Sequence, residues 1–362
     1  MGLNRAPSLY VRMLTADPNN LYIHTLDPFA IQLTESFGIR WYGLAYLTGF
    51  LATYYLIQWF SKKGLSSLTN ELAGDFVFAA AIGTIIGGRL GYCLLYSPDL
   101  FLSFTNTPPF WGVFAINQGG MASHGGILGI FITCILFGRK RNISALHLAD
   151  LSALGGTIGI FFGRIANFIN GELVGRACVS LHAWCVKFPS DILLWPAQEP
   201  NRLAGLAPLV LDQGLSNTKW SELMAALPGS SGAWEKVESA LQHIILSIQH
   251  GNAQLVEAIA PLLTARHPSQ LYEAMLEGLL MFILLMPLML RKARYGMVCA
   301  WFFIFYSLVR ILGEAFRMPD AQLGFQLWGL TRGQWLSFGL LGFGIVFLIY
   351  VRNQHYGEDT QS

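Results

Sequence analysis

Charge is what this chain has least of. Only 12% of its 362 residues are Asp, Glu, Lys or Arg, where soluble domains carry about 25%. Set against 53% hydrophobic residues, 38 Gly and a mean hydropathy of +0.46, that leaves too little polar surface to cover a water-soluble fold. The same balance excludes disorder, and a net charge of +2 lacks the basic excess of a nucleic-acid binder. Five Cys are too few for a disulfide scaffold. No Cys/His spacing matches a metal site, so no metal and no cofactor is expected. Internal repeats are missing too, which weakens a transporter built from inverted halves. The first 36 residues hold no apolar run long enough for a cleavable signal peptide, and the start Met-Gly-Leu-Asn-Arg-Ala lacks the Ser/Thr of a myristoylation site. The first span is expected to be its own insertion signal.

Apolar segments are what the chain has in plenty. A membrane span needs roughly 20 mostly apolar residues, and seven segments qualify: Trp41–Phe60, Phe76–Tyr96, Gly119–Phe137, Leu146–Ile169, Leu271–Leu290, Met297–Glu314 and Trp335–Val351. Short-loop Lys and Arg sort the sides. One side holds Lys62, Lys63, Arg139, Lys140, Arg141, Arg291, Lys292, Arg294 and Arg352, while the opposite loop Pro98–Phe114 holds none. The expected fold is an all-α polytopic membrane protein of about seven transmembrane helices, N-terminus out and C-terminus in, with a small outer-face domain. Its parts are an outer-face segment (1–40), helices one to four with a signature motif (41–176), an outer loop or head domain (177–267), helices five to seven (268–351) and a cytoplasmic tail (352–362). In the outer loop, Trp234, Val237, Leu241, Ile244 and Ile248 share one helical face, which predicts an amphipathic helix. Cys178 and Cys185 lie in the same loop, where an oxidising compartment allows a disulfide.

The scarce charge is not scattered. Ionisable groups inside a span cost several kcal/mol and usually face a cavity or a partner. The predicted orientation places Tyr42, Arg89, His124, Arg164, Glu273, Glu277, Arg310 and Glu314 toward the outer ends of six spans. Arg310 and Glu314 stand one helical turn apart. His147 and Asp150, at the opposite end of the fourth span, read as ordinary inner-interface residues. A water-accessible cavity opening outward accounts for the outer set better than separate helix-pairing contacts do. Three arginines exceed what one carboxylate needs, and guanidinium suits bidentate phosphate binding. A phosphate at membrane depth implies a phospholipid head group. Asn167, Asn170 and Glu172 follow Arg164 on the next turns and are placed to orient it. His124, among Gly119, Gly120, Gly125 and Gly126, is a candidate for proton transfer.

Six ordered blocks carry a resemblance. They are Arg40-Trp-Tyr-Gly43, Gly87-Gly-Arg-Leu-Gly-Tyr92, Gly119-Gly-Met-Ala-Ser-His-Gly-Gly126, the stretch Gly163–Arg176, His267-Pro-Ser-Gln-Leu-Tyr-Glu273 with Glu277-Gly278, and Arg310-Ile-Leu-Gly-Glu-Ala-Phe-Arg-Met-Pro-Asp320 followed by Gly333-Gln334. Together they resemble the bacterial prolipoprotein diacylglyceryl transferases, over most of the chain outside the N-terminal extension and the 177–267 loop. The resemblance implies transfer of the diacylglyceryl group of phosphatidylglycerol to the lipobox Cys thiol of a prolipoprotein. A thioether forms, and glycerol phosphate leaves. It also implies a multi-pass protein of the bacterial inner membrane, with its active site toward the outer leaflet. Arg164 and Arg310 match the family's arginines for the lipid phosphate, and His124 matches its candidate base. Tyr42, Asn167, Glu172, Glu314 and Arg317 match other functional positions, while Arg89, His267, Gln270, Tyr272 and Glu273 match further motif positions. Two departures stand out: Ala166 replaces a signature Gly, and the 177–267 loop is longer than the family pattern.

Two rival functions are weaker. An intramembrane protease has only Gly229-Ser-Ser-Gly232 in its favour, in a polar loop after Pro228. A lipid or anion transporter with an outward-facing arginine-lined cavity would need access from both faces, and the ionisable set reaches one.

Overall fold

The computed structural model describes residues 21–32, 38–116, 119–318 and 326–354. The start of the N-terminal segment, Pro319 and Asp320 of the last motif, and the tail beyond 354 lie outside them. Helices dominate, and each of the seven apolar segments forms one: α1 (Trp41–Lys62), α2 (Asn70–Leu95), α3 (Ser123–Arg141), α4 (Ala145–Ile169), and, after the outer loop, α8 (Ser269–Leu290), α9 (Met297–Gly313) and α10 (Arg332–Asn353). By length and composition α2, α4, α8 and α10 are able to cross a membrane, and α9 is a shorter apolar helix. This is the make-up of an all-α membrane protein. The loop between α4 and α8 carries α5 (Asn217–Ala226), α6 (Ser231–Gln249) and α7 (Ala253–Ile259). Strands are short: β1 (Tyr22–Ile23), β2 (Phe29–Gln32), β3 (Gly38–Arg40), β4 (Val186–Lys187) and β5 (Ala265–Arg266). Strands β1, β4 and β5 form one sheet in that order, and β2 pairs antiparallel with β3.

The chain falls into two compact units. One comprises Met1–Ala45, Gly163–Met275 and Arg310–Leu336, the other Tyr46–Phe162, Leu276–Val309 and Ser337–Ser362. The second unit is built from apolar helices. Its buried cluster includes Ile57, Phe60, Phe76, Leu148, Leu151, Leu154, Met281, Leu285 and Phe303. Helix α2 shows how such a helix divides its faces. Gly83, Gly87 and Gly91 meet Gly125 and Gly129 of α3 so closely that a Cβ on Gly91 would stand 2.8 Å from the Gly125 Cα. Small residues of this kind let backbones approach where lipid offers no hydrophobic drive. The face carrying Phe78, Ile82, Ile86, Leu90 and Leu94, at a spacing of four, is exposed.

The predicted third span begins four residues later than expected, at Ser123. Gly119 and Gly120 have φ of +87° and +79°, a conformation that Gly alone adopts freely, so they form a turn ahead of the helix. His147 and Asp150 depart from the expected interface role: they are 1% and 2% exposed. Asp150 accepts the backbone N–H groups of Gly296 (2.6 Å) and Cys299 (2.7 Å), and His147 Nε2 lies 3.0 Å from Ser66 Oγ. The carboxylate thus caps the start of α9, where four N–H groups lack helical partners.

In the first unit the outer loop encloses a separate apolar cluster, with Trp195, Leu203, Leu206, Val210, Trp220, Val237, Leu241, Ile244 and Ile248 fully buried. Each such side chain contributes roughly 1.5–3 kcal/mol. The predicted amphipathic helix is α6, with one correction. Trp234 is 38% exposed, and Ala233, at 4%, takes its place on the packed face. The packed face also takes in Ala240, at 3%, which at 3.6 residues per turn moves its centre toward Ala233 and away from Trp234. The disulfide Cys178–Cys185 closes the loop that leads from the signature motif into this cluster.

Candidate active site

One buried carboxylate organises the arginines of the first unit. Glu273, near the start of α8, is 1% exposed. Its Oε2 lies 2.9 Å from Arg164 Nη1, while its Oε1 lies 2.8 Å from Arg310 Nη1 and 3.6 Å from Arg317 Nη1. Arg310 extends its other arm to Glu314, with Nη2 2.5 Å from Oε1. Thr331 Oγ1 donates to the second Glu314 oxygen at 2.9 Å. A Cβ on Gly333 would stand 2.8 Å from Glu314 Cδ, so the bare backbone there leaves the carboxylate its position. Three guanidinium charges therefore meet two carboxylates. The three arginine side chains keep 12–16% of their surface exposed, so the cluster has a positive excess within reach of an anion.

A second cluster forms where α4 ends. Gly171, at φ +66°, is its C′ residue. Glu172 N–H donates to the Asn167 carbonyl at 3.0 Å and Gly171 N–H to the Phe168 carbonyl at 2.9 Å, the paired bonds of a Schellman turn. That turn brings Glu172 back over the helix, where its Oε2 accepts the Tyr42 hydroxyl at 2.8 Å. Asn167 Nδ2 donates to the same hydroxyl oxygen, and Gln270 Nε2 donates to the Glu172 carbonyl. Asn170 Nδ2 approaches Glu172 Oε1 at 3.5 Å. Asn167, Asn170 and Glu172 were expected to orient Arg164. They are arranged around Tyr42 instead, and Arg164 pairs with Glu273. Ala166, the departure from the signature, is buried at 1% exposure, and its carbonyl accepts the Asn170 N–H.

Backbone bonds sew three of the motifs together. Gly175 N–H donates to the His267 carbonyl, His267 N–H to the Arg176 carbonyl, and Arg176 N–H to the Phe316 carbonyl. Arg176 also donates through Nε to the Arg317 carbonyl (3.0 Å) and through Nη2 to that of Glu314 (3.3 Å). Gly175 admits no side chain, because the Phe316 carbonyl oxygen would lie 2.8 Å from its Cβ. Beneath this seam Arg266 pairs with buried Asp191 at 2.7 Å. His267 Nδ1 lies 3.3 Å from the Tyr272 hydroxyl. Burial, and then the nearby His182, hold the His267 imidazole below its ordinary pKa.

Two expected site residues belong to the other unit. Arg89 is 5% exposed. It donates through Nε to the Val113 carbonyl (2.7 Å), through Nη1 to Gly119 (2.6 Å) and Gly120 (2.9 Å), and through Nη2 to Gly112 (2.6 Å). Four of its hydrogen bonds thus end on backbone, and its guanidinium fixes the turn ahead of α3. His124 stands exposed on the first turn of α3. Sequence reading did not single out Arg176, Thr331 or Arg266. Arg176 closes the signature block, so block membership was its signal, while Thr331 and Arg266 lie just outside the quoted blocks.

The chain is also similar to known proteins over most of its length. A family model described as prolipoprotein diacylglyceryl transferase matches residues 28–350. A phosphatidylglycerol–prolipoprotein diacylglyceryl transferase of Bdellovibrio bacteriovorus is 50% identical, over 90% of this chain and 93% of its own length. Proteins of the same description from Azospirillum brasilense and Geobacter sulfurreducens are 34% and 31% identical, over 91% and 92% of this chain and 96% and 98% of theirs.

Proposed function

The chain belongs to the prolipoprotein diacylglyceryl transferases and is a transferase, and from that premise we propose how its residues carry the reaction. The substrates are phosphatidylglycerol and the lipobox segment of a prolipoprotein. The cysteine sulfur attacks the glycerol carbon that bears the phosphate ester. A C–S bond forms, the C–O bond breaks, the thiol proton passes to a base, and glycerol phosphate leaves with the bonding pair. The leaving phosphate gains a second negative charge in this step. Arg164 and Arg310 bind the phosphate and stabilise that charge, which preorganised donors do best where water is excluded. Arg317 adds to the same field.

The observation that carries this reading is the Glu273 cluster, in which three arginines share one buried carboxylate. A free thiol has a pKa of about 8.5, so a base or a positive field is needed to form thiolate. His124 is the base. Tyr42, set between Asn167 and Glu172, positions substrate by its hydroxyl, with Asn170 and Gln270 bonded to Glu172 and Tyr272 beside His267 as further substrate-binding residues. Arg89 supports this indirectly, by holding the Gly119–Gly120 turn from which His124 follows. Seven spans, N-terminus out and C-terminus in, in the bacterial inner membrane, would open the arginine cluster toward the outer leaflet. The family match favours this over a lipid or anion transporter.

Purified protein, phosphatidylglycerol and a lipobox peptide in detergent test the reading. The peptide thiol is expected to gain the mass of a diacylglyceryl group while glycerol phosphate is released, and absence of both would sink it. Arg164→Ala and Arg310→Ala are expected to abolish turnover while the protein still inserts. His124→Gln separates the two routes to thiolate, since an unchanged pH–rate profile would remove it as base.

A further inference from the structure

Two polar side-chain atoms, each buried without a protein partner, belong to residues that line one cavity behind the signature turn. His24, one residue beyond β1, is 4% exposed, and its Nε2 is the first of them. The ring packs against Phe168 and Phe188, with its Nδ1 edge toward Gly171. Burial favours the neutral imidazole, and its Nδ1–H tautomer presents Nε2 as a bare acceptor. Asn170 Oδ1 is the second. Its amide is oriented by the Glu172 carboxylate, which takes the Nδ2 side, so here too an acceptor is left over.

Both residues line one cavity of about 10 Å³, together with Ser190, Ile245, Ile248 and Gln249. That volume is about what one water molecule requires, and a buried water typically makes about three hydrogen bonds. Two neighbouring acceptors cannot bond each other, but a water donates to both. The Gln249 amide in the lining is of the donor type its oxygen would accept. The walls are firm. The Phe168 and Phe188 rings stand 5.4 and 5.3 Å from the imidazole, Ser190 Oγ donates to the Gly171 carbonyl at 2.6 Å, and Ile245 and Ile248 lie on α6 of the outer loop.

We infer that His24 is a positioning residue, which together with Asn170 binds one buried water and so fixes the Asn170–Gly171–Glu172 turn that holds the Tyr42 hydroxyl. The inference rests on the reading of Tyr42 and Glu172 as site residues. It also gives the long outer loop a role, because α6 roofs the cavity from behind the signature turn. Nothing in the local pattern around His24 announces this, because Asn170 lies 146 positions away in the chain.

Three substitutions separate the two ring nitrogens. His24→Gln places an oxygen near the Nε2 position and keeps the acceptor for water. His24→Asn places an amide near Nδ1 and lacks that acceptor. His24→Leu keeps neither. In the lipobox-peptide assay, His24→Gln is expected to stay within about threefold of the parent kcat. The other two are expected to lose about tenfold or more, the scale on which small misplacements act, with KM for phosphatidylglycerol little changed. A high-resolution density map should hold an ordered water within hydrogen-bond reach of Nε2 and Asn170 Oδ1, and nitrogen NMR of labelled histidine should find Nε2 unprotonated. Full activity in His24→Asn with loss in His24→Gln, equal behaviour of all three, or a protonated Nε2 would each overturn the inference. If the variants do not fold, the map and the nitrogen spectrum of the unaltered protein decide alone. If the unaltered protein transfers no diacylglyceryl group, the functional reading fails and the water site still stands or falls on those two measurements.

Discussion

Glu273 and Asp150 are both buried carboxylates, at 1% and 2% exposure, and they are satisfied in opposite ways. Asp150 accepts two backbone N–H groups at the start of α9. A helix N-terminus offers only partial positive charge, and it is fixed by the fold. Glu273 is met by the full charges of Arg164, Arg310 and Arg317. The first arrangement consumes its donors and holds a helix in place. The second gathers more positive charge than it neutralises and keeps it partly exposed, which a structural pair has no need to do. On the proposed reading, a buried carboxylate marks the active site when its partners are charged side chains in excess, and a structural joint when they are backbone.

Charge-removing substitutions at the two positions test that difference. The largest effect is expected from Glu273→Gln. It leaves three guanidinium groups facing a neutral amide, and breaking a buried pair in this way costs about 3–5 kcal/mol. Turnover should fall by at least about a hundredfold, because the arginines lose their common reference point. Melting in detergent and the lipobox-peptide assay would read both, and a variant equal to its parent in both would strip Glu273 of its organising role. Asp150→Asn comes next. The amide oxygen still accepts one N–H, so the loss should be about 1–3 kcal/mol of stability, with turnover per folded molecule unchanged. A loss of turnover matching Glu273→Gln would erase the distinction between the two sites.

Glu314→Gln should act more mildly and on activity. The amide oxygen can still accept from Arg310 or Thr331, so one charge-assisted bond becomes neutral. That is worth roughly 1.4 kcal/mol, or about tenfold in rate. The effect should appear mainly in kcat, read with phosphatidylglycerol at saturation. A rate unaltered by Glu314→Gln would mean that Glu273 alone sets Arg310.

The sequence made one half of this contrast legible and hid the other. The Arg310–Glu314 pair is a local i,i+4 spacing, and the seven apolar runs are local as well, so their helices could be read directly. The Glu273 partnerships join residues 109 and 37 positions apart, and Asp150 reaches 146 positions to Gly296. Spans of that length leave no periodic trace. Arg89 shows the same limit. Its residue type and depth suited a phosphate ligand, yet its donors end on four carbonyls, and backbone acceptors carry no sequence signature. Trp234 failed for a smaller reason: Ala240 is buried as well, and the packed face is centred on the Ala233 side.

The smallest expected effect concerns a buried ionisable group of a third kind. His24 is flanked by aromatic rings, and burial holds its pKa below the ordinary 6.5, with its backbone bonds opposing the shift. Folding therefore keeps it unprotonated where the unfolded chain would take a proton. Stability from this group is whole above the unfolded value of 6.5 and is lost as pH falls from there through the depressed folded value. Melting temperature in detergent should accordingly decline below about pH 6.5 with a slope that His24→Gln reduces. His267, depressed by burial and by His182, adds a parallel contribution, so His24→Gln should flatten the decline without abolishing it. If the slope is untouched in His24→Gln, the folded imidazole takes its proton at the same pH as the unfolded chain and is charged below about pH 6.5. Its Nε2 would then be a donor rather than the acceptor that a shared water with Asn170 requires, and the first unit would carry a buried charge satisfied neither as Asp150 is nor as Glu273 is.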